Sequence, residues 1–207
     1  MKIIQRVTGP VSVNTYLVIN EQTGECVLVD PGGNAGELEA VMAEEGAQLK
    51  AILLTHGHFD HIGACAFFQR KGVPVYIHQS DAGMLCSAAN LGAAMGCPVE
   101  PLHADFELKG GETLELAGMK FQVLHTPGHT RGGVCYVAER TIFSGDTLFC
   151  ESVGRTDFPG GSAKELLHSI REKLFSLEGN YRVLPGHEES TDLDWERVRN
   201  PYCGEKV

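Results

Sequence analysis

Thr55-His56-Gly57-His58-Phe59-Asp60-His61 decides how the rest of the chain is read. Three imidazoles and a carboxylate fall within six residues, directly after the apolar run Ala51-Ile52-Leu53-Leu54, which reads as a buried strand. Imidazole is the commonest biological metal ligand, and a carboxylate is its usual oxygen partner when a second cation sits nearby. So many ionisable groups at one strand end imply a positive charge that draws them together.

Working outward, each further candidate ligand follows an apolar strand and a glycine turn. His129 lies in Leu124-His125-Thr126-Pro127-Gly128-His129-Thr130, Asp146 in Phe143-Ser144-Gly145-Asp146-Thr147, and His187 in Val183-Leu184-Pro185-Gly186-His187. Such contexts place side chains at a sheet edge where backbone passes close to a bound group. Seven ligands exceed one four-coordinate zinc and suit two divalent cations. The division expected is His56, His58 and His129 on one cation and Asp60, His61 and His187 on the other. Asp146 would bridge them, since a carboxylate can present one oxygen to each. A water between the cations would lose its proton near neutral pH and act as the nucleophile, oriented by Asp60. The sulfur-free donor set favours zinc and also accepts iron or manganese. Of the other histidines, His78 and His168 read as structural or exposed, His125 as ordering its loop, and His103 as a candidate substrate contact.

The elements fall into two related halves. Strands are expected at Lys2–Thr8, Asn14–Ile19 and Cys26–Val29, then a helix over Ala35–Glu45 with Asn34 and Glu37 in capping-box spacing. The strand Leu49–Leu54 leads into the histidine loop, followed by a helix from His61 to Lys71, a strand Val73–Ile77 and a short helix capped by Ser80. Residues Cys86–His103 have no clear period and read as a loop or broken helix over the site. The second half brings strands near Thr113–Leu116, Lys120–Leu124, Gly133–Ala138 and Thr141–Ser144. A helix over Ala163–Phe175 with Ser162 and Glu165 in a second capping box, a strand Tyr181–Leu184 and a terminal helix near Leu193–Arg199 complete it. Strands in runs followed by helices suggest two sheets face to face with helices outside.

Composition narrows the setting. The 207 residues carry 17 Lys and Arg against 27 Asp and Glu, a formal charge of −10, which argues against a nucleic-acid partner. No segment is long and apolar enough for a signal peptide or a bilayer span, so no membrane association is expected. The seven cysteines (Cys26, Cys65, Cys86, Cys97, Cys135, Cys150 and Cys203) include no C-x-x-C pair, which favours reduced thiols and a cytoplasmic location.

With these residues in place the chain resembles the metallo-β-lactamase-fold superfamily, whose His-x-His-x-Asp-His signature and later His, Asp and His correspond to the seven ligands above. The resemblance runs from Asn14-Thr15-Tyr16 to the Pro185-Gly186-His187 turn. It implies an α+β fold, a four-layer αβ/βα sandwich with the active site at one edge of the sheets, formed by residues 1–207 as one domain. Zinc β-lactamases of the fold carry a cysteine where this chain has Asp146, flavodiiron proteins a glutamate at the His58 position, and nucleases added domains and a basic surface.

The run Gly145-Asp146-Thr147-Leu148-Phe149 and then Val153-Gly154-Arg155 is similar to glyoxalase II, in which the matching basic residue meets glutathione. The resemblance therefore implies a thioester hydrolase acting on a small molecule such as S-D-lactoylglutathione, with Arg155 binding the substrate; the residues alone equally allow Arg155 to pair with Asp157 and hold the loop. The C-terminal helical domain that completes the classical glutathione site is not expected here, and the run Gly154-Arg155-Thr156-Asp157-Phe158-Pro159-Gly160-Gly161 is closest to short single-domain relatives. Persulfide dioxygenases share the Gly-Arg-Thr-Asp-Phe run and would place one iron on His56, His129 and Asp146. The ending Pro185-Gly186-His187-Glu188-Glu189-Ser190-Thr191 resembles hydrolases more. Lactone hydrolysis is a variant of the same chemistry.

Overall fold

The computed structural model describes residues 1–205. Alternation of side chains along the strands builds the architecture, because the central strands are apolar on both faces and the outer ones on one. Strand β2 (Val13–Ile19) sends Tyr16 and Val18 to one side and Leu17 and Ile19 to the other. Strands β3 (Glu25–Val29) and β4 (Gln48–Leu53) divide in the same way. With β1 (Lys2–Thr8), β5 (Val75–His78) and β6 (Phe106–Leu108) they form a six-stranded sheet in the order β1-β2-β3-β4-β5-β6. The β1-β2 and β2-β3 pairs are antiparallel, and the pairs from β3 to β6 are parallel.

The second half repeats the scheme. Strands β7 (Thr113–Leu116), β8 (Met119–His125), β9 (Val134–Ala138) and β10 (Thr141–Gly145) precede the short hairpin β11 (Leu148–Phe149) and β12 (Ser152–Val153). After these come β13 (Arg182–Pro185) and β14 (Thr191–Asp192), giving the sheet order β14-β13-β10-β9-β8-β7. Tyr16, Val29, Leu53, Phe121, Tyr136 and Phe143 fill the space between the two sheets.

Helices cover the outer faces. Helix α1 (Ala35–Glu44) and the pieces α2 (Phe59–Ile62) and α3 (Cys65–Gln69) pack Leu38, Val41, Ile62 and Phe68 on the first sheet. Helices α4 (Ala163–Ser169) and α5 (Leu193–Arg199) pack Leu166 and Leu193 on the second. The result is the helix, sheet, sheet, helix order expected of an αβ/βα sandwich. No helix among the described residues is long and apolar enough to cross a membrane.

Local expectations fail where distant partners intervene. The helix expected over His61–Lys71 begins at Phe59 and breaks after Ile62, because the Ala64 N–H bonds the Pro31 carbonyl at 2.9 Å. Asn34 sits at the N-cap of α1 with φ +53 and caps no backbone N–H. Its oxygen accepts from Gly9 N–H at 3.2 Å and its amide donates to Glu37 at 3.0 Å. Asp81, not Ser80, begins the next turn, a 3-10 turn over Ala82–Cys86. The Cys86–His103 segment continues as a second 3-10 turn, Ala88–Asn90, and then as loop. Ser162 does cap α4, accepting from Glu165 N–H at 3.3 Å, and that helix continues as a π turn over Ile170–Leu174. Strands β6, β11, β12 and β14 are too short to show a period.

Candidate metal centre

Four strand ends converge on one edge. The loop after β4 carries His56 and His58 into α2, which adds Asp60 and His61. The loop after β8 carries His129, Asp146 follows β10 directly, and His187 follows β13. One sheet thus supplies four of the candidates and the other three. The structure brings all seven sequence-derived side chains together, in three overlapping groups that could each hold a cation: His56, His58 and His129; His56, His61 and Asp146; Asp60, His61 and His187.

Hydrogen bonds behind the imidazoles fix which nitrogen faces inward. His129 Nδ1 lies 2.7 Å from the Arg155 carbonyl, which can only accept, so Nδ1 carries a proton and Nε2 is the nitrogen turned inward. Asp30 does the same for two rings. Its carboxylate accepts from Thr55 N–H at 2.8 Å, from Thr55 Oγ1 at 2.6 Å and from His61 Nδ1 at 2.9 Å. Thr55 Oγ1, its proton committed to Asp30, is left to accept from His56 Nδ1 at 3.1 Å. Carboxylate or carbonyl oxygens behind a ring raise its basicity and lock its orientation, as metal ligands require.

Three of the inward atoms then lack a hydrogen-bond partner. His56 Nε2, His61 Nε2 and Asp146 Oδ1 are buried with no hydrogen bond, a costly state for polar atoms away from water. Asp146 Oδ1 lies 3.4 Å from His61 Nε2, and its Oδ2 lies 3.5 Å from His129 Nε2 and 3.8 Å from His187 Nε2, so the carboxylate stands between the two halves of the cluster. His58 Nδ1 is 2.9 Å from His129 Nε2, and Asp60 Oδ2 is 3.2 Å from His187 Nε2. Gly186 must be glycine here, because a Cβ would strike Asp146 Oδ1 and His61 Cε1.

The electrostatics divide the rings. Burial, reinforced by neighbouring imidazoles, lowers His56 well below the usual range and His58 to about 3, so both stay neutral with lone pairs available. Burial also opposes charge on His61, but Asp60, Asp30 and Asp146 outweigh it and raise that ring well above the usual value. Burial works to raise Asp146, yet His61, His129 and His187 hold it far below the carboxylate range. In effect a proton is drawn to the place a divalent cation would take. Donor type, orphaned atoms and charge all fit a pair of cations.

Several contributors escaped the sequence reading. Asn14 donates through Nδ2 to the carbonyls of Pro185 at 3.1 Å and Glu188 at 2.9 Å, and Tyr16 OH donates to Pro185 at 2.7 Å, tying the His187 turn to the opposite sheet. Asp81 accepts from Thr130 Oγ1 at 2.6 Å, Gly132 N–H at 2.7 Å and Gly57 N–H at 3.4 Å, joining the His58 and His129 loops. The only available signal for Asp30 and Asp81 was an acidic residue just beyond an apolar strand. Arg155 is exposed, with its side chain in a two-point pair with Asp157 at 2.7 Å and over the Phe158 ring at 3.8 Å. His125 orders its loop through the Arg131 carbonyl at 3.0 Å, and His103 is exposed.

Known proteins match nearly the whole chain. The Probable metallo-hydrolase YqgX of Bacillus subtilis (strain 168) is 39% identical, covering 94% of this chain and 93% of its own. Hydroxyacylglutathione hydrolase GloC of Haemophilus influenzae (strain ATCC 51907 / DSM 11121 / KW20 / Rd) is 36% identical, covering 93% of each. The crystal structure of BLEG-1 B3 metallo-beta-lactamase superposes with a TM-score of 0.92 at 38% identity, covering 98% of this chain and 99% of that one. TTHA1623 in a di-iron-bound form gives a TM-score of 0.85 at 39% identity, over 96% and 99%. The profile of the Metallo-beta-lactamase superfamily matches residues 8–187, the span from the end of β1 to the last candidate ligand, and the chain belongs to that superfamily.

Proposed function

We propose that this chain is a metal-dependent hydrolase that cleaves a thioester, most aptly a hydroxyacyl thioester of glutathione such as S-D-lactoylglutathione. The observation that carries the metal requirement is the convergence of His56 Nε2, His61 Nε2 and Asp146 Oδ1, buried and unpartnered. The name metallo-hydrolase on the Bacillus relative and hydroxyacylglutathione hydrolase on the Haemophilus relative support the reaction and its substrate.

His56, His58 and His129 would hold one cation, Asp60, His61 and His187 the other, with Asp146 between them. Zinc suits these donors first; iron and manganese suit them too, and the di-iron form of a 39% identical structure supports iron. Bound there, two cations would supply Lewis acidity to the carbonyl and a water acidic enough to act as nucleophile near neutral pH. The chain's own groups do the rest. Asp30 and the Arg155 carbonyl keep protons on the outer nitrogens of His61 and His129. Asp60, against His187, would orient the attacking water. The Phe158 ring, edge-on to His58 at 5.7 Å, screens one side from solvent. Arg155 would exchange Asp157 for a carboxylate of the thiol half. A thiolate leaves without a proton donor, because thiols have a pKa of about 8.5. The described cysteines, all unpaired, accord with a cytoplasmic location.

Thiol release from S-D-lactoylglutathione by protein loaded separately with zinc, iron and manganese tests this. Metal-dependent turnover, reduced by at least about a thousandfold in Asp146→Ala, is expected. Absence of release with every metal would reject it. The BLEG-1 likeness favours β-lactam opening as the second reading, read by hydrolysis of a chromogenic cephalosporin. Oxygen uptake with glutathione persulfide would identify the dioxygenase instead.

A further inference from the structure

Beside the metal centre lies a cavity of about 390 Å³ whose walls include Met84, Ala88, Leu91, Thr130, Arg131 and Pro159. It touches the ligand loops at three points. Thr130 follows His129, Pro159 follows the Phe158 that packs on His58, and the Met84 side chain lies against Gly57. Its walls therefore adjoin the loops that carry His58 and His129, two of the three histidines expected to hold the first cation.

The cavity carries one uncommitted charge. Among the described residues the Arg131 guanidinium has no hydrogen-bond or ion-pair partner; only its carbonyl is engaged, by His125. Its stem runs along Gly160, where φ is +94 and a Cβ would sit 3.6 Å from Arg131 Cγ and 3.8 Å from Nε, so the bare backbone forms a floor for it. Asp81 shares the cavity, but its oxygens are taken by Thr130, Gly132 and Gly57. Arg131 is exposed and also borders a neighbouring cavity with His125, Ser162 and Glu165, but it forms no ion pair with Glu165. Arg155, by contrast, is held by both oxygens of Asp157. An arginine fork beside apolar walls is suited to an anion on an aliphatic stem, because it donates two parallel hydrogen bonds while the stem packs.

We propose that Arg131 is a specificity-determining residue that anchors a carboxylate on the thiol half of the substrate, which lies in the Met84, Leu91 and Pro159 cavity. The inference rests on the thioester reading and extends it. Arg155 lies over the Phe158 ring and Arg131 runs along Gly160 two residues on, so a thiol carrier with two carboxylates, as in a γ-glutamyl tripeptide, could meet both.

The test uses zinc-loaded wild type, Arg131→Gln and Arg131→Lys with three lactoyl thioesters: of glutathione, of uncharged N-acetylcysteamine and of coenzyme A. In Arg131→Gln the ratio of kcat/KM for the glutathione ester over the N-acetylcysteamine ester should fall about tenfold or more, through KM, with Arg131→Lys between. An unchanged ratio overturns the assignment. Loss confined to the coenzyme A ester also overturns it, assigning the anion as phosphate. Calorimetric titration with S-methylglutathione, which cannot be hydrolysed, separates this inference from the reaction. Binding to wild type that weakens about tenfold in Arg131→Gln supports the anchor even if no thioester turns over. Equal binding to both proteins, or none to wild type, overturns it even if thioesters are cleaved.

Discussion

A single carboxylate, Asp30, decides how two of the imidazoles face the centre. It stands just past β3 with φ +49, and its Oδ2 is shared by Thr55 Oγ1 and His61 Nδ1 while its Oδ1 takes the Thr55 N–H. An asparagine there has one oxygen for donors on two sides, and its amide hydrogens must face at least one of them. Asp30→Asn should therefore lower metal affinity about 10–100-fold, as loss of an outer partner does elsewhere. It should also cost roughly 1–3 kcal/mol of stability through the unsatisfied buried donor. Competition against a chromophoric chelator and the urea midpoint read the two effects. Thr55→Val offers a narrower comparison, because it removes the bond behind His56 and leaves the one behind His61. An affinity equal to wild type in both variants would show that the hydrogen bonds do not set the ring orientation.

At the scale of elements, strand ends deliver the ligands and neighbouring segments hold those ends in place. Helix α4 is an example: Ser162 Oγ caps it, while the Ser162 N–H bonds the Gly128 carbonyl at 2.7 Å, one residue before His129. Ser162→Ala keeps the backbone bond and loses the cap, so a cost of about 1 kcal/mol is expected in the urea midpoint. Metal affinity should stay within about twofold, since the anchoring N–H remains; a larger loss would mean the cap itself positions the His129 loop. This cap was legible because Ser162 and Glu165 are three residues apart. The histidine cluster was legible for the same reason, and the three lone ligands because each repeats a strand, a glycine and a polar residue. Asp30 and Asp81 were not, because their partners lie up to 31 and 51 residues away. The break between α2 and α3 was only half visible, since Gly63 marks the stop locally but the acceptor that fixes it is the distant Pro31 carbonyl. Asn34 has the capping spacing but spends its oxygen on Gly9.

Across the whole molecule the centre is a seam between two sheets, and its charges should govern stability when metal is removed. His56 and His58 are neutral when folded, His58 down to about 3, whereas unfolded imidazoles protonate near 6.5. Between those values the unfolded chain binds more protons, so stability falls as the pH drops below 6.5. Asp60 and Asp146, both depressed, act in the same direction at still lower pH, where the unfolded carboxylates take up protons first. His61 and His187 are raised, and their contribution is complete below 6.5 and lost as pH climbs through their folded values. The two trends oppose each other across the unperturbed histidine value, so chelator-treated protein should be most stable near pH 6.5 and decline on both sides. Cations would displace the proton drawn to His61 and require every ring neutral, which moves the maximum to higher pH and steepens the acid side. Thermal midpoints from pH 4 to 9, with chelator and with zinc, measure both curves. Coincident curves would mean that the cluster does not bind metal in the folded protein. A metal-free maximum well above pH 7 would mean that His61 is not the charged ring.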